Sequence, residues 1–149
     1  MAVKNQQSYD KDFYAWTLHN AELIRQRRFS EVDIEHVAEE IESMGRKEKR
    51  ELINRLAILM GHLLKWKFQS TKRSKSWSLT IKNQRIELND LLEESPSLKK
   101  DLEERFNHAY EKAIVIAAGQ MGIDEKDFPH KSPFSLEDCF DLSYLPDSV

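Results

Sequence analysis

The sequence predicts an all-α fold: a single-domain helical bundle of about five helices, with a short C-terminal helix and an irregular tail. Three observations point there. Only four Gly and four Pro interrupt 149 residues, and the stretches between them are rich in Glu, Lys, Leu and Arg, which favour helices. Apolar residues recur at the three- and four-residue spacing of one helix face. Capping residues stand where those periodic runs begin and end. The length suits one domain over 1–149, with 1–8 a flexible N-terminus and 123–149 a tail packed on the bundle.

The first helix is expected from about Asp10, as N-cap, to Arg27. Phe13, Trp16, Leu23 and Ile24 form its core stripe, and Arg25, Arg27 and Arg28 suit its negative end. After a Phe29-Ser30 turn, a second helix is expected over Asp33–Met44. Its apolar face is Ile34, Val37, Ala38 and Ile41, and Gly45 supplies its stop. It is densely acidic, with Glu31, Asp33, Glu35, Glu39, Glu40 and Glu42. The third helix, about Lys47 to Gln69, carries Leu52, Leu56, Leu59, Leu63 and Trp66, an arc broad enough for the centre of a bundle.

A short cationic linker, 70–75, leads to a fourth helix over Trp77–Glu94, capped by Ser76. Trp77, Ile81, Leu88, Leu91 and Leu92 share its inner face. Gln84 sits inside that face and must find a partner or cost on the order of 1–3 kcal/mol. Ser95-Pro96 opens the fifth helix, lined by Leu98, Leu102, Phe106, Ala109, Ala113 and Ile116, and Gly122 ends it. Beyond it, Pro129, Pro133 and Pro146 forbid a long helix. Ser135 to Asp138 reads as the cap of one short helix, and Phe128, Phe134, Phe140, Tyr144 and Leu145 should fasten the tail.

Charge is unevenly placed. From Leu52 to Ile86 there is no Asp or Glu, yet there are eight Lys and Arg: Arg55, Lys65, Lys67, Lys72, Arg73, Lys75, Lys82 and Arg85. The rest holds 15 basic against 26 acidic residues, a balance of −11. The chain therefore reads as an acidic body with one basic segment.

Several classes are excluded or disfavoured. No run approaches the roughly 18 apolar residues of a membrane helix, so no membrane partner is expected. MAVKNQQSYD has no apolar leader core and Cys139 is the lone cysteine, so a cytoplasmic location is expected. A glycine-rich phosphate loop, an HExxH pair and a serine elbow are all missing. His36 and Glu40, four residues apart, could share a face as metal ligands. Bridged di-metal bundles use duplicated Glu-x-x-His pairs, which this chain lacks, so neither metal nor cofactor is expected.

The residues in question resemble those of the bacterial "domain of unknown function 29" family, common in cyanobacteria. The likeness begins at Tyr9-Asp10-Lys11-Asp12-Phe13-Tyr14-Ala15-Trp16. It continues through Glu39-Glu40-Ile41-Glu42-Ser43-Met44-Gly45, His62-Leu63-Leu64-Lys65-Trp66 and Arg73-Ser74-Lys75-Ser76-Trp77. Thr80-Ile81-Lys82-Asn83-Gln84-Arg85, Phe128-Pro129 and Leu145-Pro146 complete it. Phe68-Gln69-Ser70 departs from the aromatic-Gln-Pro that the family suggests. The resemblance implies an all-helical bundle and no assigned activity.

Three function classes follow. The favoured one is a protein-interaction module, antitoxin-like, immunity-like or an adaptor, with an unknown protein partner; homodimerisation through an apolar face is compatible with it. The second is a nucleic-acid-binding module using the basic segment 65–85, with Lys72, Arg73 and Lys75 on phosphates and Trp66, Phe68 or Trp77 stacked on bases. The third is a metal-independent ribonuclease. Arg55 and His62 lie nearly two helical turns apart on one side and resemble the paired Arg and His of the HEPN ribonuclease superfamily, although Leu56 stands where a polar residue is usual. There His would move the 2′-hydroxyl proton and Arg would stabilise the phosphate. Glu39, Glu40, Arg55, His62, Lys65, Trp66, Arg73, Trp77, Gln84 and Arg85 are expected to gather into one partly buried polar cluster.

Overall fold

The computed structural model describes residues 8–147, and every regular element among them is helical. A helical turn at 8–11 precedes α1 (Phe13–Arg25). Then follow α2 (Ile34–Phe68), α3 (Lys75–Glu94), α4 (Leu98–Met121) and the five-residue α5 (Leu136–Phe140). The all-α class read from the sequence is the class observed. The expected flexible N-terminus falls on residues 1–7, outside those described, while Ser8 already belongs to the helical turn.

The second and third expected helices are one. α2 runs 35 residues straight through Gly45. A glycine ends a helix when its backbone turns left-handed, but Gly122 is the only glycine with positive φ among the described residues. Between Gly45 and Leu52 stand Arg46, Lys47, Glu48, Lys49, Arg50 and Glu51, all good helix formers, with no cap residue to start a new helix. Ile34, Ile41, Gly45, Leu52, Leu56, Leu59 and Leu63 also keep one helical phase throughout.

The other ends are set by local chemistry. α1 starts after Asp12, not Asp10, because the Asp12 carboxylate accepts from Ala15 N at 3.1 Å. α3 starts after Ser74, whose hydroxyl accepts from Trp77 N at 3.2 Å, so Ser76 lies inside the first turn. α4 begins at Leu98 and ends at Gly122, φ 69°. Ser135 and Asp138 form a reciprocal capping box on α5.

Two compact units divide the chain, Met1–Lys47 and Glu48–Val149. In the first, Trp16, Asn20 and Leu23 of α1 are buried. Phe13 and Ile24, expected in that stripe, are 48% and 41% exposed. The second holds the large core: Leu52, Leu56, Leu59, Met60, Leu63 and Leu64 of α2 meet Ile81 and Leu88 of α3 and Leu102, Ala109 and Ala113 of α4. Gly61 lies in that core because a Cβ there would come within 3.2 Å of Ile116 Cγ2. Phe128, Phe134 and Cys139 join the same core, with Phe140 and Tyr144 packed beside it. Leu145 is 41% exposed; its neighbour Pro146 is buried in its place.

Candidate functional site

In the second unit, the residues expected in one polar cluster form three separate pairs. Arg55 on α2 donates Nη1 to Gln84 Oε1 on α3 at 3.3 Å, which satisfies the amide inside its apolar stripe. The same guanidinium meets Glu51 at 3.0 Å and Glu87 at 3.9 Å. Lys65 is buried. Its ammonium lies 4.6 Å from the centroid of the Trp77 ring and donates to Gln120 Oε1 at 2.6 Å. Burial pushes its pKa down. Arg73 lies 4.9 Å from the Trp66 ring centroid and donates Nε to Trp66 O at 2.8 Å, satisfying a carbonyl in the last turn of α2.

Arg85 stands apart from these pairs. It is 2% exposed and donates Nε to Cys139 O at 2.8 Å and Nη2 to Asp138 O at 3.1 Å. Both acceptors are carbonyls at the C-terminal end of α5, where a cation is favoured. Burial lowers its pKa, against the nearby carboxylates of Asp141 and Asp138. Cys139 itself is buried, and burial pushes its thiol up to about 12. Such a thiol is a poor nucleophile.

His62 is half-buried. Its Nδ1 bonds Ile58 O at 3.0 Å, and burial lowers its pKa, so the neutral ring donates from Nδ1 at neutral pH. Arg55 lies roughly 10 Å away along the helix axis, given about 1.5 Å per residue. Each has its own partners, and none is shared between them.

The first unit holds a cluster that sequence reasoning did not assemble. Asp33 accepts from Trp16 Nε1 at 3.0 Å and bonds His36 Nδ1 at 2.7 Å. Its backbone N–H goes to Asn20 Oδ1 at 2.9 Å. Burial opposes ionisation of Asp33, but the hydrogen bonds from His36 and Trp16 outweigh it, and its pKa is lowered. Tyr9 stacks on His36 with centroids 3.9 Å apart and donates its hydroxyl to Glu40 at 2.6 Å. That bond, more than burial, raises the phenol to about 12. His36 and Glu40 thus share a helix face, as their spacing requires, and both are used to hold Tyr9. The overlooked signal was Asp33 with His36, three residues apart, beside two aromatic residues of the N-terminal motif. Among the described residues no group of three or more His, Cys, Asp or Glu is placed to hold a metal.

These contacts occupy one side of the first half of α2. The neighbouring face is open. Ile34, Ile41 and Met44 are 62%, 59% and 59% exposed, and among the described residues nothing lies within 4 Å of where a Gly45 Cβ would be. Glu35, Glu39, Glu42 and Arg46, all exposed, flank this face. Among the described residues, eight of the fourteen exposed large apolar side chains fall in the first unit, which marks it as the stickier surface.

No described helix is long and apolar enough to cross a membrane. The sequence model of the family described as "Domain of unknown function DUF29" matches residues 8–145. No curated protein and no solved structure matches the chain.

Proposed function

Since this chain belongs to the DUF29 family of unknown function, we propose from its own residues that it is a protein-interaction module, an adaptor or an antitoxin- or immunity-like protein. The observation that carries this reading is the open apolar face of α2, Ile34, Ile41 and Met44, bordered by carboxylates. Apolar side chains exposed in phase along a helix are stabilised by covering them with another apolar surface. The acidic border favours a partner with basic flanks and speeds its approach.

The cation–π pairs weigh against the nucleic-acid alternative. Trp66 and Trp77 already lie against Arg73 and Lys65, and Arg85 is buried. A stacking platform for bases needs an open aromatic face. The ribonuclease alternative has no shared site to support it, since Arg55 and His62 are engaged separately.

The test places a photoreactive amino acid at Ile41 in living cells. A polypeptide adduct that disappears in the Met44→Glu background is expected. Adducts unaffected by Met44→Glu, or none, would overturn the reading. In parallel, labelled single-stranded RNA is titrated at low and high salt. Steeply salt-dependent binding that survives Ile41→Glu would favour the nucleic-acid module instead.

A further inference from the structure

We infer that the open face of α2 is covered by the same face of a second copy of this chain, the two helices running antiparallel. The inference rests on the interaction reading above and names its partner. The charge order along the helix carries it. From Glu35 to Glu42 the exposed border is acidic, with Glu35, Glu39 and Glu42; at Arg46, whose Nη1 lies 3.9 Å from Glu42 on the same helix, it turns basic. Glu35, Glu39, Glu42 and Arg46 lie on one side of the apolar stripe by helical geometry.

Two copies placed parallel would bring this side of the stripe against the opposite side of the partner's, so Glu39 and Arg46 could not meet across the seam. Turned antiparallel and centred on residues 42–43, each acidic run meets the basic end of the other. Ile41 of one copy then falls opposite Met44 of the other, and Glu39 opposite Arg46, each pair made twice by the twofold axis. This is the self-complementarity that a symmetric dimer requires. Gly45, with open space where its Cβ would stand, leaves room at the centre for a second backbone. In its first half the stripe lacks the buried partners that Leu52, Leu56 and Leu59 have in its second. A second helix of matching phase supplies them.

The test is sedimentation equilibrium of the full chain up to about 100 μM, a range that resolves micromolar association. The expected species is a dimer of the 17.6 kDa chain. Ile41→Glu with Met44→Glu should give a monomer of unchanged helical circular dichroism. Arg46→Glu should weaken association by about tenfold or more, and Glu39→Arg added to Arg46→Glu should restore it. A wild-type monomer throughout would overturn the inference while leaving the interaction reading to the cross-linking experiment. So would a dimer indifferent to Ile41 and Met44. Failure of the reversed charge pair to restore association would overturn the antiparallel arrangement.

Discussion

Arg85 is the largest fully buried side chain, and its hydrogen bonds go to the backbone carbonyls of Asp138 and Cys139. Replacing it by Met keeps most of the volume but strips one buried and one partly buried carbonyl of their donor. Arg85→Met should cost about 3 kcal/mol in urea unfolding, since hydrogen bonds from charged groups are worth roughly 1.5–3 kcal/mol each. Hydrogen exchange should locate the loss in 136–147. Asp33 supplies a second test, with a pH signature. Its folded pKa lies below its unfolded one, so its contribution is present above the unfolded carboxylate value, about 4, and is lost as pH falls through the folded pKa. Asp33→Asn should lower stability by about 1–2 kcal/mol at pH 7. It should also flatten the fall below pH 4, read from urea midpoints between pH 7 and 3. At this scale the sequence was half legible. Gln84 inside an apolar stripe announced its need for a partner, and Arg55 answers it. That Arg85 would cap a helix 53 residues away was not visible, because a backbone acceptor leaves no mark in the side-chain pattern.

Helix ends show a similar division. Ser135 with Asp138 and Gly122 were readable because a cap needs a particular side chain or a particular φ. Gly45 misled because glycine identity does not report φ: the same residue type tolerates a helix interior at modest cost. Gly45→Ala should therefore stabilise the helix by about 0.5–1 kcal/mol. Gly122→Ala, at φ 69°, should destabilise by about 1–2 kcal/mol. Thermal melts of the two variants should shift in opposite directions. A Gly45→Ala melt shifted downward would mean that the helix is interrupted there.

At the scale of the whole molecule, α2 carries one stripe with two environments. Leu52, Leu56 and Leu59 are fully buried, while Ile34 and Ile41 are more than half exposed. Local opening follows buried apolar contact, so in the Ile41→Glu/Met44→Glu monomer amides around 52–64 should exchange about tenfold or more slower than those of 34–44 in the same helix. Equal rates along α2 would contradict this. The periodicity that predicted the stripe could not say which half is covered, because phase is local and burial is tertiary. The basic segment was legible as a charge imbalance, but its meaning was not. Arg55, Lys65, Arg73 and Arg85 turn inward to Gln84, Trp77, Trp66 and the end of α5, and Lys67 donates to Asp147 O, leaving Lys72, Lys75 and Lys82 at the surface.

The lone Cys139 makes the molecule its own reporter. Its sulfur is shielded by the same packing that places its carbonyl on Arg85. A thiol of pKa about 12 is almost wholly protonated at neutral pH, so reagents that trap thiolates register it only when α5 lifts away. The rate of labelling is thus a clock for the opening of the C-terminal segment, readable by mass in any variant without adding a probe. A new cysteine in place of Tyr14, 72% exposed on α1, would react at once, well separated in time from the native one.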